Sequence, residues 1–267
     1  MIDHSSLLDD LIRIAVDAGI EIMKVYESDI AVEHKDDKSP VTEADRRGEA
    51  IILAGLATAA GDIPVVAEEA AAAGHIPEVG ERFFLVDPLD GTKEFIKKNG
   101  EFTVNIALIE DKEATLGVIY VPAKKKIYAG FGKTAFSQEN VDPHVADPLA
   151  EASPRQSIQV RTGDRRALVA VASRSHRDTK TDEYLSQYNI SDMVAAGSSL
   201  KFCLVAEGVA DLYPRHGPTM EWDTAAGHAI VNAAGGEVTM LDGSPFLYGK
   251  TAHKFKNPFF VVRGRIS

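Results

Sequence analysis

Cysteine is almost absent: the chain has one, Cys203. An intrachain disulfide is therefore excluded, and a reducing, cytoplasmic setting is expected. No apolar run approaches the roughly 20 residues that span a bilayer, so no integral membrane segment is expected. Met1 to Val16 carries Asp3, Asp9 and Asp10 and lacks the basic start of a secretory signal. Positive charge is scarce, with 29 Lys and Arg against 40 Asp and Glu and a formal net charge of −11. Nonspecific nucleic-acid binding, which needs a basic surface, is excluded. The Gly-x-x-x-x-Gly-Lys-Ser/Thr phosphate loop is missing, which removes the P-loop enzymes. His216 and His228 fall at no zinc-like spacing, and Cys203 reads as core filler.

What is present is an ordinary globular balance: 267 residues, 45% hydrophobic and 26% charged, enough to bury a real core. Leu7, Leu8, Leu11, Ile12, Ala15, Ile22 and Val25 recur near a 3.6-residue period and predict a helix over Leu7 to Tyr26. A charged loop, His34 to Ser39, leads to a second helix from Thr42 to about Ala60. Asp45 follows Thr42 as in a capping box, and Gly61 and Pro64 stop the helix. Val65 to Ala67 and Phe83 to Val86 read as buried strands. Phe102 to Leu108 alternates as a strand, and Thr115 to Val121 and Lys126 to Phe131 continue a meander. Ser137 to Gln156, rich in Pro, Asp and Glu, reads as a surface connection between an N-terminal half, 1–140, and a C-terminal half, 155–267. In the second half Leu168–Ala172, Met193–Ala196, Ala210–Tyr213, Glu237–Met240 and Phe259–Val262 read as strands. Asp178–Tyr188, Ser198–Glu207 and Thr224–Ala234 read as helices. The mixture predicts a layered α/β (α+β) fold.

Three acidic sites share one design, a carboxylate at the end of an element. Glu68-Glu69 ends one strand, Asp87-Pro88-Leu89-Asp90-Gly91-Thr92 follows the next, and Asp223 starts a helix. Between Asp62 and Glu94 eight acids face two bases, Arg82 and Lys93. Carboxylates packed at buried strand ends are costly unless a cation neutralises them, and hard oxygen ligands suit Mg²⁺. Each site alone has a plainer reading: a turn for Asp87 to Thr92, a helix cap for Asp223 and for Asp45, a solvated strand end for Glu68-Glu69. Their joint occurrence favours a metal site.

These three motifs together resemble the inositol monophosphatase superfamily of Mg²⁺-dependent, lithium-sensitive phosphatases, over about Lys35 to Pro258. Asp90-Gly-Thr-Lys-Glu-Phe95, Gly100-Glu-Phe-Thr-Val-Asn-Ile106, Gly197-Ser-Ser-Leu-Lys201 and Trp222-Asp-Thr-Ala-Ala-Gly-His228 are similar to its CysQ-type 3′(2′),5′-bisphosphate nucleotidase branch. The resemblance implies an αβαβα sandwich of the sugar-phosphatase type. It implies removal of the 3′-phosphate from adenosine 3′,5′-bisphosphate, a by-product of sulfate assimilation. An inositol or other small sugar phosphatase, and a non-catalytic metal-binding protein on the same fold, stand as alternatives. By resemblance, Glu68, Asp87 and the Leu89 carbonyl hold one Mg²⁺, and Asp87, Asp90 and Asp223 hold a second. Thr92, linked to Asp45, orients the attacking water. Glu69 stands behind those ligands or at a third ion. Peripheral inner-membrane association is a further implication of resemblance alone, and oligomeric state is open.

For the substrate, the candidate contacts are Glu68, Leu89, Asp90, Gly91, Thr92, Asp223, Ser173, Arg174, His176, Gly197, Ser198, Ser199 and Lys201. Arg161 to Lys180 carries six bases against Asp164 and Asp178, a surplus suited to a second phosphate. Gly197-Ser198-Ser199 opens a helix whose free N–H groups would suit an anion. A haloacid-dehalogenase-type phosphatase is disfavoured, because Asp87 and Asp90 are one residue further apart than its Asp-x-Asp signature. An aspartic protease would need two Asp-Thr/Ser-Gly loops. One departure from the resemblance is Tyr248-Gly249-Lys250, where Tyr-Asn-Lys is common.

Overall fold

The computed structural model describes residues 3–28, 32–34, 40–173 and 179–267, with backbone only for 32–34, 40–42 and 173. Seven α-helices are present among them: α1 (His4–Tyr26), α2 (Glu43–Ala60), α3 (Glu68–Ala72), α4 (Thr92–Ile96), α5 (Thr179–Leu185), α6 (Leu200–Ala206) and α7 (Ala225–Ala233). Asp3 caps α1, its carboxylate accepting the N–H groups of Ser5 and Ser6. The apolar stripe of α1, from Leu7 to Val25, is buried along its length.

A seven-stranded sheet runs in sequence order from Val65–Ala67 to Gln156–Ser157. Its central strands are Arg82–Asp90, Thr103–Glu110 and Glu113–Val121, paired antiparallel. Phe102 to Leu108 alternates in sequence, yet its polar partners Thr103 and Asn105 are buried too, because helices cover both faces of this sheet. A second sheet has five strands in the order Ile190–Ala196, Leu168–Ser173, Leu212–Arg215, Phe260–Arg263 and Glu237–Met240. Its first three strands are parallel, and Phe260–Arg263 runs antiparallel to both of its neighbours.

The layers follow from what packs on what. Helices α1 and α2 cover one face of the larger sheet. On its other face α6 and α7 lie between the two sheets, and α5 packs on the outer face of the smaller sheet. This gives the αβαβα order.

Two local expectations change. Glu68 and Glu69 do not end a strand in open solvent; they form the first turn of α3. The stretch after Gln138 is not merely a surface connection. Val141 is fully buried and its carbonyl accepts the Tyr120 hydroxyl at 2.7 Å, while Gln156–Ser157 pairs back onto Thr134–Gln138. Its few apolar residues are too widely spaced to show a period.

Candidate active site

Asp87 and Asp90 are three residues apart, so a regular strand would point them to opposite faces. The strand does not turn after Asp87, as its Pro and Gly suggested; it continues with a bulge. Asp87 pairs with Asn105 and Asp90 with Thr103, so three steps on one strand oppose two on the other. The bulge falls between Asp87 and Asp90, where Pro88 has no N–H to give to a ladder, and both carboxylates reach the same pocket. The Leu89 N–H donates to Asp87 Oδ1 at 3.0 Å. Gly91 then breaks the strand at φ +94°, with the Glu101 carbonyl and Ser198 Cβ each 3.2 Å from where a Cβ would stand. A larger residue there meets both strain and contact.

Two further segments bring acid to the same place. Glu49, buried in α2, accepts the N–H groups of Glu69 at 2.7 Å and Ala70 at 2.9 Å, capping α3 and fixing Glu68 at its start. Asp223 closes a 3₁₀ turn, Glu221–Asp223, and its carboxylate accepts the Met220 N–H at 2.8 Å. Its cap-like bond and its place in the site are therefore compatible.

Glu68, Asp87, Leu89, Asp90, Gly91, Thr92 and Asp223 line one pocket of about 330 Å³. Burial raises the Asp87 carboxyl well above its ordinary range, and the charges of Glu68, Asp90 and Asp223 raise it further. Asp223 is raised in the same way by burial, Asp90 and Glu68. Asp90 is raised by burial, but Lys201 and the Ser199 hydrogen bond hold it back. That bond runs from Ser199 Oγ to Asp90 Oδ2 at 2.7 Å, and Asn105 Nδ2 donates to Ser199 Oγ at 2.9 Å. Asn105 and Ser199 thus orient Asp90.

The same pocket also carries cations, and Lys201 and Arg215 act on Asp90. Lys93, Lys201 and Arg215 line the pocket with Ser198, Tyr213 and Thr219. Burial lowers the Lys201 ammonium to about 8, against the opposing pull of Asp90. Ser198 Oγ and Arg215 Nε are buried and have no hydrogen-bond partner among the described residues. Buried donors without partners on a pocket wall fit a polar ligand.

The inositol monophosphatase family model matches residues 3–258. The chain belongs to the inositol monophosphatase family. Within that family it is 47% identical to the 3′(2′),5′-bisphosphate nucleotidase CysQ of Salmonella typhimurium, over 96% of this chain and 99% of the relative. It is 45% identical to CysQ of Escherichia coli K12, with the same coverage. Among solved structures, CysQ from Bacteroides thetaiotaomicron is 38% identical and covers 98% of each chain, at a TM-score of 0.78. The Thermotoga maritima IMPase is 25% identical, with 96% and 91% covered and a TM-score of 0.75.

The inositol monophosphatase family is metal-dependent. The acids on this lining, Glu68, Asp87, Asp90 and Asp223 with Glu94 beside them, offer oxygen donors that fit a hard divalent cation. Among the described residues, no three acids, histidines or cysteines are already gathered into a closed metal cluster. The fit rests on donor chemistry and on the shared pocket.

The remaining candidates are divided between the pocket and its surroundings. Asp45 is buried in α2, and neither it nor Glu69 nor Ser199 lines the pocket. Gly197 and Ser198 line it, and the Gly197 N–H donates to Glu101 Oε2 at 2.9 Å, which takes that one N–H. Arg174, His176 and the Ser173 side chain lie outside the described residues. The basic surplus of Arg161 to Lys180 is partly spent away from the pocket. Arg161 binds the buried Asp211 through two bonds of 2.6 and 2.7 Å, and Arg166 binds Asp164. Glu49, Asn105 and Arg215 were missed in the sequence. Asn105 carried a signal, an amide inside a buried strand; Arg215 carried none beyond its place at a strand end.

Proposed function

We propose that this chain is a 3′(2′),5′-bisphosphate nucleotidase that removes the 3′-phosphate of adenosine 3′,5′-bisphosphate, yielding AMP and phosphate. The observation that carries the reading is the mixed charge of one pocket, whose lining brings the carboxylates of Glu68, Asp87, Asp90 and Asp223 together with the cations Lys93, Lys201 and Arg215. A monophosphate held through cations at the carboxylates leaves the basic groups unanswered. A bisphosphate answers them with the phosphate that is not cleaved. The CysQ relatives support the same substrate class.

Mg²⁺ is the cation assigned, held by Glu68, Asp87 and the Leu89 carbonyl and by Asp87, Asp90 and Asp223. When bound it supplies Lewis-acid neutralisation of the phosphoryl oxygens. The chain's own groups position the reaction. Thr92 and Asp45 orient water for attack on phosphorus. Asn105 and Ser199 hold Asp90, and Glu49 holds the turn that presents Glu68. The water oxygen bonds to phosphorus as the bond to the 3′-oxygen breaks, and the 3′-oxygen takes up a proton. Phosphoryl transfer needs positioning and charge neutralisation rather than a covalent protein intermediate. Li⁺ competes at the small oxygen-lined sites, so its inhibition weakens at high Mg²⁺. In the cytoplasm the activity clears a by-product of sulfate assimilation.

Phosphate release from a substrate panel tests the reading. Adenosine 3′,5′-bisphosphate is cleaved with higher kcat/KM than 3′-AMP, and both exceed inositol 1-phosphate. EDTA abolishes release and Mg²⁺ restores it. The highest kcat/KM on inositol 1-phosphate would overturn the substrate assignment.

A further inference from the structure

The Tyr248-Gly249-Lys250 motif lies outside the pocket lining, yet it is tied to the turn that carries Asp223. The Glu221 side chain is fully buried in that turn. Its carboxylate accepts the Gly249 N–H at 2.8 Å, the Lys250 N–H at 2.9 Å and Lys250 Nζ at 3.0 Å. Lys250 Nζ also reaches Asn257 Oδ1 at 3.3 Å. Asn257 Nδ2 reaches the Met220 carbonyl at 2.7 Å, Thr224 Oγ1 at 3.1 Å and Thr219 Oγ1 at 3.2 Å. Met220 is the residue whose N–H holds the Asp223 carboxylate. Every residue from Thr219 to Thr224 except Trp222 and Asp223 thus bonds directly to the segment 248–257. Gly249 stands at φ +84°, with no atom closer than 3.7 Å to an added Cβ. Asn is the side chain that best tolerates this left-handed region, so Gly and Asn are interchangeable there.

We infer that Glu221, Lys250 and Asn257 are positioning residues that set the Asp223 carboxylate for its cation. The inference rests on Asp223 as a cation ligand and makes no use of the substrate assignment. A buried carboxylate left without its lysine is strongly unfavourable, so the turn shifts when Lys250 is neutralised. Partners behind a ligand, when removed, weaken metal binding by about 10- to 100-fold.

The test is calorimetric titration of the metal-stripped full chain with Mn²⁺, with thermal melting in parallel. Lys250→Met and Asn257→Ala bind Mn²⁺ about tenfold more weakly than the wild type. Lys250→Arg, which retains the charge, recovers most of the affinity. If Lys250→Met does not fold, Lys250→Gln carries the same expectation. Arg161→Ala, which loses an ion pair remote from the turn, melts earlier but binds Mn²⁺ normally. The inference is overturned if the folded Lys250 and Asn257 variants bind Mn²⁺ as tightly as the wild type. It is overturned equally if Arg161→Ala weakens binding as much as they do, which would make the effect one of general stability. Normal binding by Asp223→Asn removes Asp223 as a ligand and the inference with it. Loss of nucleotide preference with these metal results intact counts against the nucleotidase reading alone.

Discussion

The acidic and basic groups that line the pocket, called its acidic and basic walls below, are built in different ways. The acidic wall comes from the bulged strand Arg82–Asp90, the start of α3 and the turn before α7. Its members repel one another, and Asp87 and Asp223 are pushed well above the ordinary carboxylate range. Much of the basic wall comes from α6 and the strand Leu212–Arg215, and Lys201 is pushed the other way, to about 8. Each wall holds charge at a cost in the protein alone. On the proposed reading, cations relieve the acids and the second phosphate relieves the bases.

Breaking the acidic wall gives the largest effect. Asp87→Asn lowers kcat by at least about 10³-fold, since it removes the carboxylate assigned to both cations. The same change raises the melting temperature of the metal-free protein. Asp87 has a raised carboxyl, so its ionisation opposes folding as pH rises, and the amide removes that penalty. A loss of activity with a fall in melting temperature would mean that Asp87 is structural.

Breaking the basic wall gives a smaller and selective effect. Arg215→Ala and Lys201→Met lower kcat/KM for adenosine 3′,5′-bisphosphate by about 10- to 100-fold, the worth of one or two charge-assisted bonds. They lower it less for 3′-AMP, which lacks the second phosphate and loses only their charge beside Asp90. Equal losses on both substrates would remove this wall from substrate discrimination.

Two predictions sharpen the boundary of the site. Arg161→Ala leaves kcat/KM unchanged but destabilises the fold by about 2 kcal/mol, by stranding the buried Asp211. That figure is set below the usual range for a buried pair because the Arg161 side chain is 38% exposed. His228, buried and bonded to the Tyr248 hydroxyl at 3.0 Å, is lowered by burial to about 3. Its stabilisation of the fold is complete above about pH 6.5 and is lost as pH falls toward 3, at up to about 1.4 kcal/mol per pH unit. Chemical denaturation of His228→Gln between pH 7 and 4 should give a shallower loss than the wild type. An identical slope would show that His228 is not the group that titrates.

The two walls also differ in how far the sequence reveals them. Asp87, Asp90 and Thr92 sit in one short motif, and the helix and strand positions around them follow from apolar spacing. The bulge was hidden, because Pro88 and Gly91 signal a turn equally well. The groups that orient the acids, Glu49, Asn105 and Ser199, act across 20 to 109 positions of chain. No local pattern encodes such distances. Within the basic stretch from Arg161, the pairing of Arg161 was hidden for the same reason, since its partner Asp211 is 50 residues away.

The most direct measurement follows each phosphate separately. Adenosine 3′,5′-bisphosphate labelled with ³²P at either position is incubated with Mg²⁺ and enzyme, and free phosphate is separated from nucleotide. The account predicts that the 3′ label appears as phosphate and the 5′ label stays in AMP. Release of the 5′ label at a comparable rate would contradict it, because the phosphate assigned to Lys201 and Arg215 would then be reacting at the carboxylates.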